Sequence, residues 1–149
     1  SNPNRIYAKI EAARNAIYRS EDGGLTWTMV NDQPAYANNR PFYFQELAVD
    51  TKDENRLYNI YQPLTVSEDG GKTFQPEPMI PADETKGIHA DFHAFWIDPN
   101  DPAFFIIGGD GGIGITHDKG KSWYFPESIP VGQFYHINAD NDLPYNVYG

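Results

Sequence analysis

Apolar residues in this chain come in short runs, each closed by Asn, Asp, Gly or Pro. Leu47-Ala48-Val49 ends at Asp50, and a second run, Leu57-Tyr58, follows Glu54-Asn55-Arg56. Phe95-Trp96-Ile97 ends at Asp98-Pro99, and Phe104-Phe105 follows Asp101-Pro102-Ala103. Each unit predicts strand, Asx or Pro turn, strand. Two partial copies flank them. Asn4-Arg5-Ile6-Tyr7 resembles the second strand of a unit, Tyr135 to Asp140 a first strand, and Tyr145 to Tyr148 the start of a second. No segment carries an amphipathic helical period. Ile10 to Ile17 is the one helix-friendly stretch, and its place in the repeat predicts strand or turn instead.

Three octapeptides punctuate the pattern. They begin at Ser20, Ser67 and Thr116, 47 and 49 residues apart, and share hydroxyl, any, Asp, any, Gly, any, hydroxyl, aromatic. Their marked residues are Ser20, Asp22, Gly24 and Trp27; Ser67, Asp69, Gly71 and Phe74; Thr116, Asp118, Gly120 and Trp123. Every residue type suits a hairpin corner. The Asp accepts hydrogen bonds from nearby backbone N–H groups. The glycine adopts a positive φ that a side chain obstructs. The hydroxyls tie the strands, and the aromatic packs back between them. Three equivalent aspartates therefore read as scaffold and not as catalysts. With the flanking units, the repeat predicts all-β blades of four antiparallel strands, the length of one propeller blade.

The octapeptides resemble the Asp-box, or bacterial neuraminidase, repeat. That repeat is found in sialidases, xyloglucan-cleaving endoglucanases, sortilin-type receptors and many secreted bacterial proteins. Thr116, Ser122 and Phe74 are its mild departures. The segments His93 to Pro99 and Gly109 to Gly112 look most like large bacterial proteins with glycosyl-hydrolase-like repeats. The resemblance implies a propeller. It leaves activity open, because such folds host glycosidases and non-enzymatic binders alike.

The repeat divides residues 1–149 into a first blade at about 1–34 lacking its inner strand, a second at about 42–80, a third at about 90–130, and the start of another at 131–149. Three blades' worth does not close a ring. Either further blades belong to a longer chain, or a homo-oligomer completes the ring.

His89, Asp91 and His93 are the most suggestive cluster. On a strand, alternating residues point to one face, so the three can face a ligand or a divalent metal. A structural His93–Asp110 pair is the competing reading. Asp110 sits among glycines in Gly108-Gly109-Asp110-Gly111-Gly112, which suits a bulge or a close backbone approach. Asp91 and Asp110 are the candidate carboxyl groups for glycosidase chemistry, chosen by position. The endoglucanase resemblance instead implies catalytic positions near Glu46, His93 and His136, of which only Glu46 is an acid. A sialidase arginine clamp is not visible among Arg5, Arg14, Arg19, Arg40 and Arg56. Tyr36, Phe42, Tyr43, Phe44, Trp96, Phe134 and Tyr135 are the aromatics that can stack on sugar rings, with packing between blades the expected role of most of them, and Gln33 to Phe44 is the candidate binding loop. Asp98 to Asp101 and Asp140 to Asp142 read as turns and not calcium loops.

Composition narrows the partners. The net charge is −10, which repels phosphate backbones and anionic membrane surfaces. No apolar run reaches the ~20 residues that span a bilayer. With no cysteine, thiolate chemistry and Cys-ligated zinc are excluded. No cofactor is implied. The reading is a carbohydrate- or protein-binding propeller module of an exported bacterial protein, extracellular or periplasmic. The alternatives are part of a glycoside hydrolase, xyloglucanase- or sialidase-like, whose catalytic pair is completed by other blades, and a scaffold that spaces other modules.

Overall fold

The computed structural model describes residues 2–37, 43, 46–75, 80, 89–130, 132, 134 and 136–149. Phe42, Phe44, Tyr135 and Arg40 lie outside the described residues. Strands β1 (Ile6–Ile10), β2 (Ala16–Ser20) and β3 (Thr28–Asn31) form a first antiparallel sheet. Strands β4 (Glu46–Val49), β5 (Leu57–Ile60) and β6 (Leu64–Ser67) form the second, and β7 (Phe92–Ile97), β8 (Phe105–Gly109) and β9 (Gly112–Thr116) the third. A hairpin of β10 (Asn138–Ala139) and β11 (Val147–Tyr148) follows. The helix-friendly stretch is a hairpin, with Ile10 paired to Ala16. The turn after each first strand repeats one bond: Asp50 N–H to Arg56 O, Asp98 N–H to Phe104 O, and Asp140 N–H to Asn146 O.

Two details differ from the sequence expectation. One helical turn, α1 (Pro34–Ala37), lies in the expected loop. Pro34 suits its first position, where no N–H is needed, and Ala37 is buried in the core. The fourth strands are also short. In the third sheet the fourth strand is a bridge between Ile115 and Tyr124, and in the second a Gln75 N–H bond to Val66 O stands at its place. In the first sheet β3 fills that place, so the sheet holds the second, third and fourth strands of the pattern.

Alternation along each strand sets the packing. Ile17 and Val30 of the first sheet pack with Leu47 and Phe74 of the second. Tyr58, Ile60 and Val66 of the second pack with Phe95, Phe105, Ile107 and Trp123 of the third. The second sheet is thus covered on both faces, and every residue of β5 and β6 is buried. The rings of Tyr58, Phe95 and Phe105 lie 5.0–5.1 Å apart, centroid to centroid. Successive antiparallel sheets stacked face to face are the architecture of part of a β-propeller, the all-β class expected from the sequence.

The three octapeptides fold alike. Ser20 Oγ accepts from Gly24 N–H at 2.9 Å and donates to Asp22 Oδ1 at 2.7 Å, while Asp22 accepts from Thr26 N–H and Oγ1 at 2.9 and 2.6 Å. Ser67, Asp69, Gly71 and Thr73 repeat this, as do Thr116, Asp118, Gly120 and Ser122. Gly24, Gly71 and Gly120 hold φ of 95°, 83° and 84°. Trp27 and Trp123 donate their indole N–H to Gly24 O and Gly120 O. Phe74 has no such donor and stacks on Tyr36 at 5.0 Å instead.

These bonds set an acid response. The Thr26 and Ser122 hydroxyls, with backbone N–H groups, hold the Asp22 and Asp118 carboxyls at about 2, below the ordinary 3.8. A carboxyl depressed in the folded state stabilises above its unfolded pKa and stops doing so as pH falls through the folded one. The urea midpoint is therefore expected to drop between pH 4 and pH 2, and less steeply in a D22N/D118N variant. An identical drop in both proteins contradicts the assignment.

Candidate functional site

The corners sit at one end of the sheets. At the other end β4 and β7 begin, β5 turns into β6, and β8 turns into β9. Four polar or aromatic side chains gather there. His93 Nε2 lies 3.5 Å from Asp110 Oδ1, longer than a normal hydrogen bond and an ion pair when the imidazole is protonated. The Tyr43 ring meets the His93 ring edge-on at 4.7 Å, and Tyr43 is 56% exposed. Glu46 opens β4. Burial raises its carboxyl pKa, and the nearby His93 opposes that shift. A shallow groove of about 400 Å³ runs from His93 and Asp110 along Ala94, Gly108 and Ile113. A neighbouring one of about 490 Å³ continues past Gly111 to Pro126 and Glu127.

Glycines position Asp110. A Cβ on Gly109 would stand 2.4 Å from Asp91 O, and one on Gly111 2.3 Å from His89 N. The close approach expected of this run is thus made to the chain's own 89–91 segment. Asp110 N–H bonds to Asp91 O at 3.2 Å, and Asp91 N–H and Phe92 N–H bond to Gln62 O and Tyr61 O. The irregularity expected at Asp110 lies across from it, between Phe92 and Ala94.

The alternating His89–Asp91–His93 face is not formed. β7 begins only at Phe92, Asp91 has φ +72°, and the register shifts beside His93, so the three residues do not follow one pleat. His89 is exposed, with its ring on Ala90 O. Among the described residues no group of three His, Asp or Glu side chains is placed to hold a metal. Nothing among them donates to the shielded Oδ1 of Asp91.

The aromatic candidates separate. Tyr43 joins the site. Tyr36 instead packs against Phe74 and carries its hydroxyl to Phe74 O at 3.5 Å, so its ring faces core and not solvent. Trp96 alternates with the buried-side Phe95, points to the open face of the third sheet, and meets Phe104 edge-on. Phe134 and His136 are exposed. The described arginines are committed to carboxylates: Arg5 and Arg19 to Glu21, Arg14 to Asp32, Arg56 to Glu68. They make no clamp. Asp98 and Asp140 accept backbone N–H groups of their own turns.

Sequence reasoning missed Lys9. Its ammonium donates to Asn59 Oδ1 at 3.1 Å and lies 5.8 Å from the Tyr61 ring centroid, and burial lowers its pKa to about 8. The partners are about 50 residues away in the chain, and no local pattern announces them.

No known family model matches the chain. An oligoxyloglucan-reducing end-specific xyloglucanase of Emericella nidulans is 27% identical over 87% of this chain and 17% of its own length. Three solved structures share the fold. They are the GH74 enzyme of Niastella koreensis (TM-score 0.59, 20% identity, 83% of this chain and 21% of that one), the GH74 xyloglucanase of Xanthomonas campestris (0.57, 19%, 91% and 23%), and an ancestral GH74 enzyme (0.56, 18%, 83% and 17%). The chain spans about a fifth of the length of these relatives. Among the described residues no helix is long and apolar enough to cross a membrane.

Proposed function

We propose that this chain is a segment of an Asp-box β-propeller of glycoside hydrolase type, and that its His93–Asp110 end binds a xyloglucan-class β-glucan. One observation carries the reading. Tyr43, Glu46, His93 and Asp110 converge at the sheet end opposite the corners, along open grooves, in a chain with the fold of GH74 enzymes. A sugar stacks on an exposed ring, donates its hydroxyls to carboxylates and exchanges hydrogen bonds with an imidazole, and this set offers both. Glu46, whose protonated form burial favours, is the candidate acid; Asp110 is the candidate carboxylate partner. A glycosidase requires two carboxyl groups about 5–10 Å apart across the scissile bond. On this reading the protein acts outside the cytoplasm.

The non-catalytic reading has its own support. Where the endoglucanase resemblance expects acids, this chain has His93 and His136. Titration calorimetry with xyloglucan oligosaccharides and a reducing-sugar assay separate the readings. Binding is expected in wild type, weakened ~10- to 100-fold in Asp110→Ala, the range of a hydrogen bond to a charged group. Turnover lost in Glu46→Gln supports hydrolysis, and binding without turnover supports a binding module. Absence of binding to any β-glucan contradicts both.

A further inference from the structure

The chain holds three Asp-Gly steps, Asp22-Gly23, Asp69-Gly70 and Asp110-Gly111. A glycine nitrogen has no adjacent Cβ to shield it, so it can reach the carboxyl carbon of the aspartate before it. The local sequence offers this reaction at all three steps, and the fold treats them differently. At the corners both reacting groups are tied. Asp22 accepts from Ser20 Oγ, Thr26 N–H and Thr26 Oγ1 at 2.6–2.9 Å, and Asp69 accepts from Ser67 Oγ, Thr73 N–H and Thr73 Oγ1 over the same range. The nitrogens are held as well. Gly23 N–H donates to Asn4 O and Gly70 N–H to Asn55 O, both at 2.9 Å. Ring closure at either corner must first break these bonds.

At the tip of the β8–β9 hairpin neither group is tied. The Asp110 side chain is half exposed, and its close polar neighbour among the described residues is His93 Nε2 at 3.5 Å. The Gly111 N–H makes no hydrogen bond among the described residues. The anchor of this turn is Asp110 N–H on Asp91 O, and that nitrogen lies outside the ring that would form. The fold also dictates the glycine. A Cβ at 111 would stand 2.3 Å from His89 N, so the hairpin can seat there only the residue that shields its nitrogen least.

We propose that Asp110-Gly111 is a site of covalent self-modification, a cyclic imide that opens to isoaspartate, and that the two corner steps are spared. The Gly111 nitrogen bonds to Asp110 Cγ, and the nitrogen's proton leaves with one carboxyl oxygen as water. Water then reopens the imide. Addition at Cγ restores aspartate. Addition at the main-chain carbonyl routes the backbone through the side chain and leaves the carboxylate on Cα. One water is released and one is taken up, with no change of oxidation state. The modification does not depend on the sugar-binding reading. If that reading holds, the imide removes the carboxylate that faces His93 and isoaspartate displaces it, so the site is disabled by a change in its own backbone.

Peptide mapping by mass spectrometry tests this on the folded chain, aged for weeks in warm neutral buffer made with heavy-oxygen water. The imide is read as loss of water, its products as uptake of a heavy oxygen, and isoaspartate by enzymatic methylation of the displaced carboxylate. The peptide holding Asp110 is expected to be altered ~10-fold or more above those holding Asp22 and Asp69, because several hydrogen bonds must break at the corners first. In urea those bonds are gone, and the three steps should react alike. Asp110→Asn loses ammonia through the same imide without an acid to expel water, so it should convert faster than the wild-type step. Equal alteration of the three steps in the folded chain, an Asp110 preference that persists in urea, or an Asp110→Asn amide that survives ageing overturns the proposal. Mass is the readout, so failure here is distinct from failure of sugar binding.

Discussion

Replacing Phe105 with alanine is expected to cost about 3–5 kcal/mol of folding stability. Its side chain is fully buried, and its ring stands 5.1 Å from both Tyr58 and Phe95 and 5.6 Å edge-on from Trp123. Truncation removes apolar burial and leaves a cavity among rings that belong to both the second and third sheets. Those sheets are rigid hydrogen-bonded layers, so the void collapses poorly. The loss should appear in urea unfolding as a lower midpoint. Leu25→Ala, at a corner position 85% exposed, should stay within about 0.5 kcal/mol. A Phe105→Ala cost below about 1 kcal/mol would mean that the two sheets are not packed as described.

Lys119→Met is the second large effect, at about 2–3 kcal/mol. The Lys119 ammonium lies 3.1 Å from Asp50 Oδ2, and the Asp50 side chain is fully buried. The second and third sheets are joined by this contact. Removing the cation leaves a buried carboxylate served by the Lys52 and Asp53 N–H groups. Breaking a buried pair costs about 3–5 kcal/mol, and the partial exposure of Lys119 trims that figure. The backbone adds a second test. Lys119 has φ +61°, where the other corners have Gly23 and Gly70 at +71° and +75°. A non-glycine residue there carries about 1 kcal/mol of strain. Lys119→Gly relieves it while losing the same ion pair, so it should be about 1 kcal/mol less damaging than Lys119→Met. Equal costs for the two variants contradict the strain argument.

The corners were legible in the sequence because their bonds are local. Ser20, Asp22, Gly24 and Thr26 satisfy one another within seven residues, so residue type and spacing dictate the geometry. The same holds for the Asp50, Asp98 and Asp140 turns. What the sequence hid is long-range. The alternation through His89, Asp91 and His93 predicted one face, and the left-handed backbone at Asp91 broke it, because Gly109 and Gly111 draw that segment onto the hairpin. Nothing around Pro34 announces that Ala37 caps a core formed with Ile17 and Phe74. The His93–Asp110 contact joins neighbouring strands and was legible as a pair; the approach of Tyr43 and Glu46 depends on how two sheets stack.

The central claim is that the chemistry sits at the Glu46–His93–Asp110 end and the octapeptides are scaffold. Amide chemical-shift mapping during a xyloglucan-oligosaccharide titration tests it most directly. The account predicts shifts concentrated at Tyr43, Glu46, His93 and Gly108 to Ile113, with Ser20 to Trp27 and Thr116 to Trp123 unmoved. Shifts centred on the octapeptides, or none at saturating sugar, would contradict it.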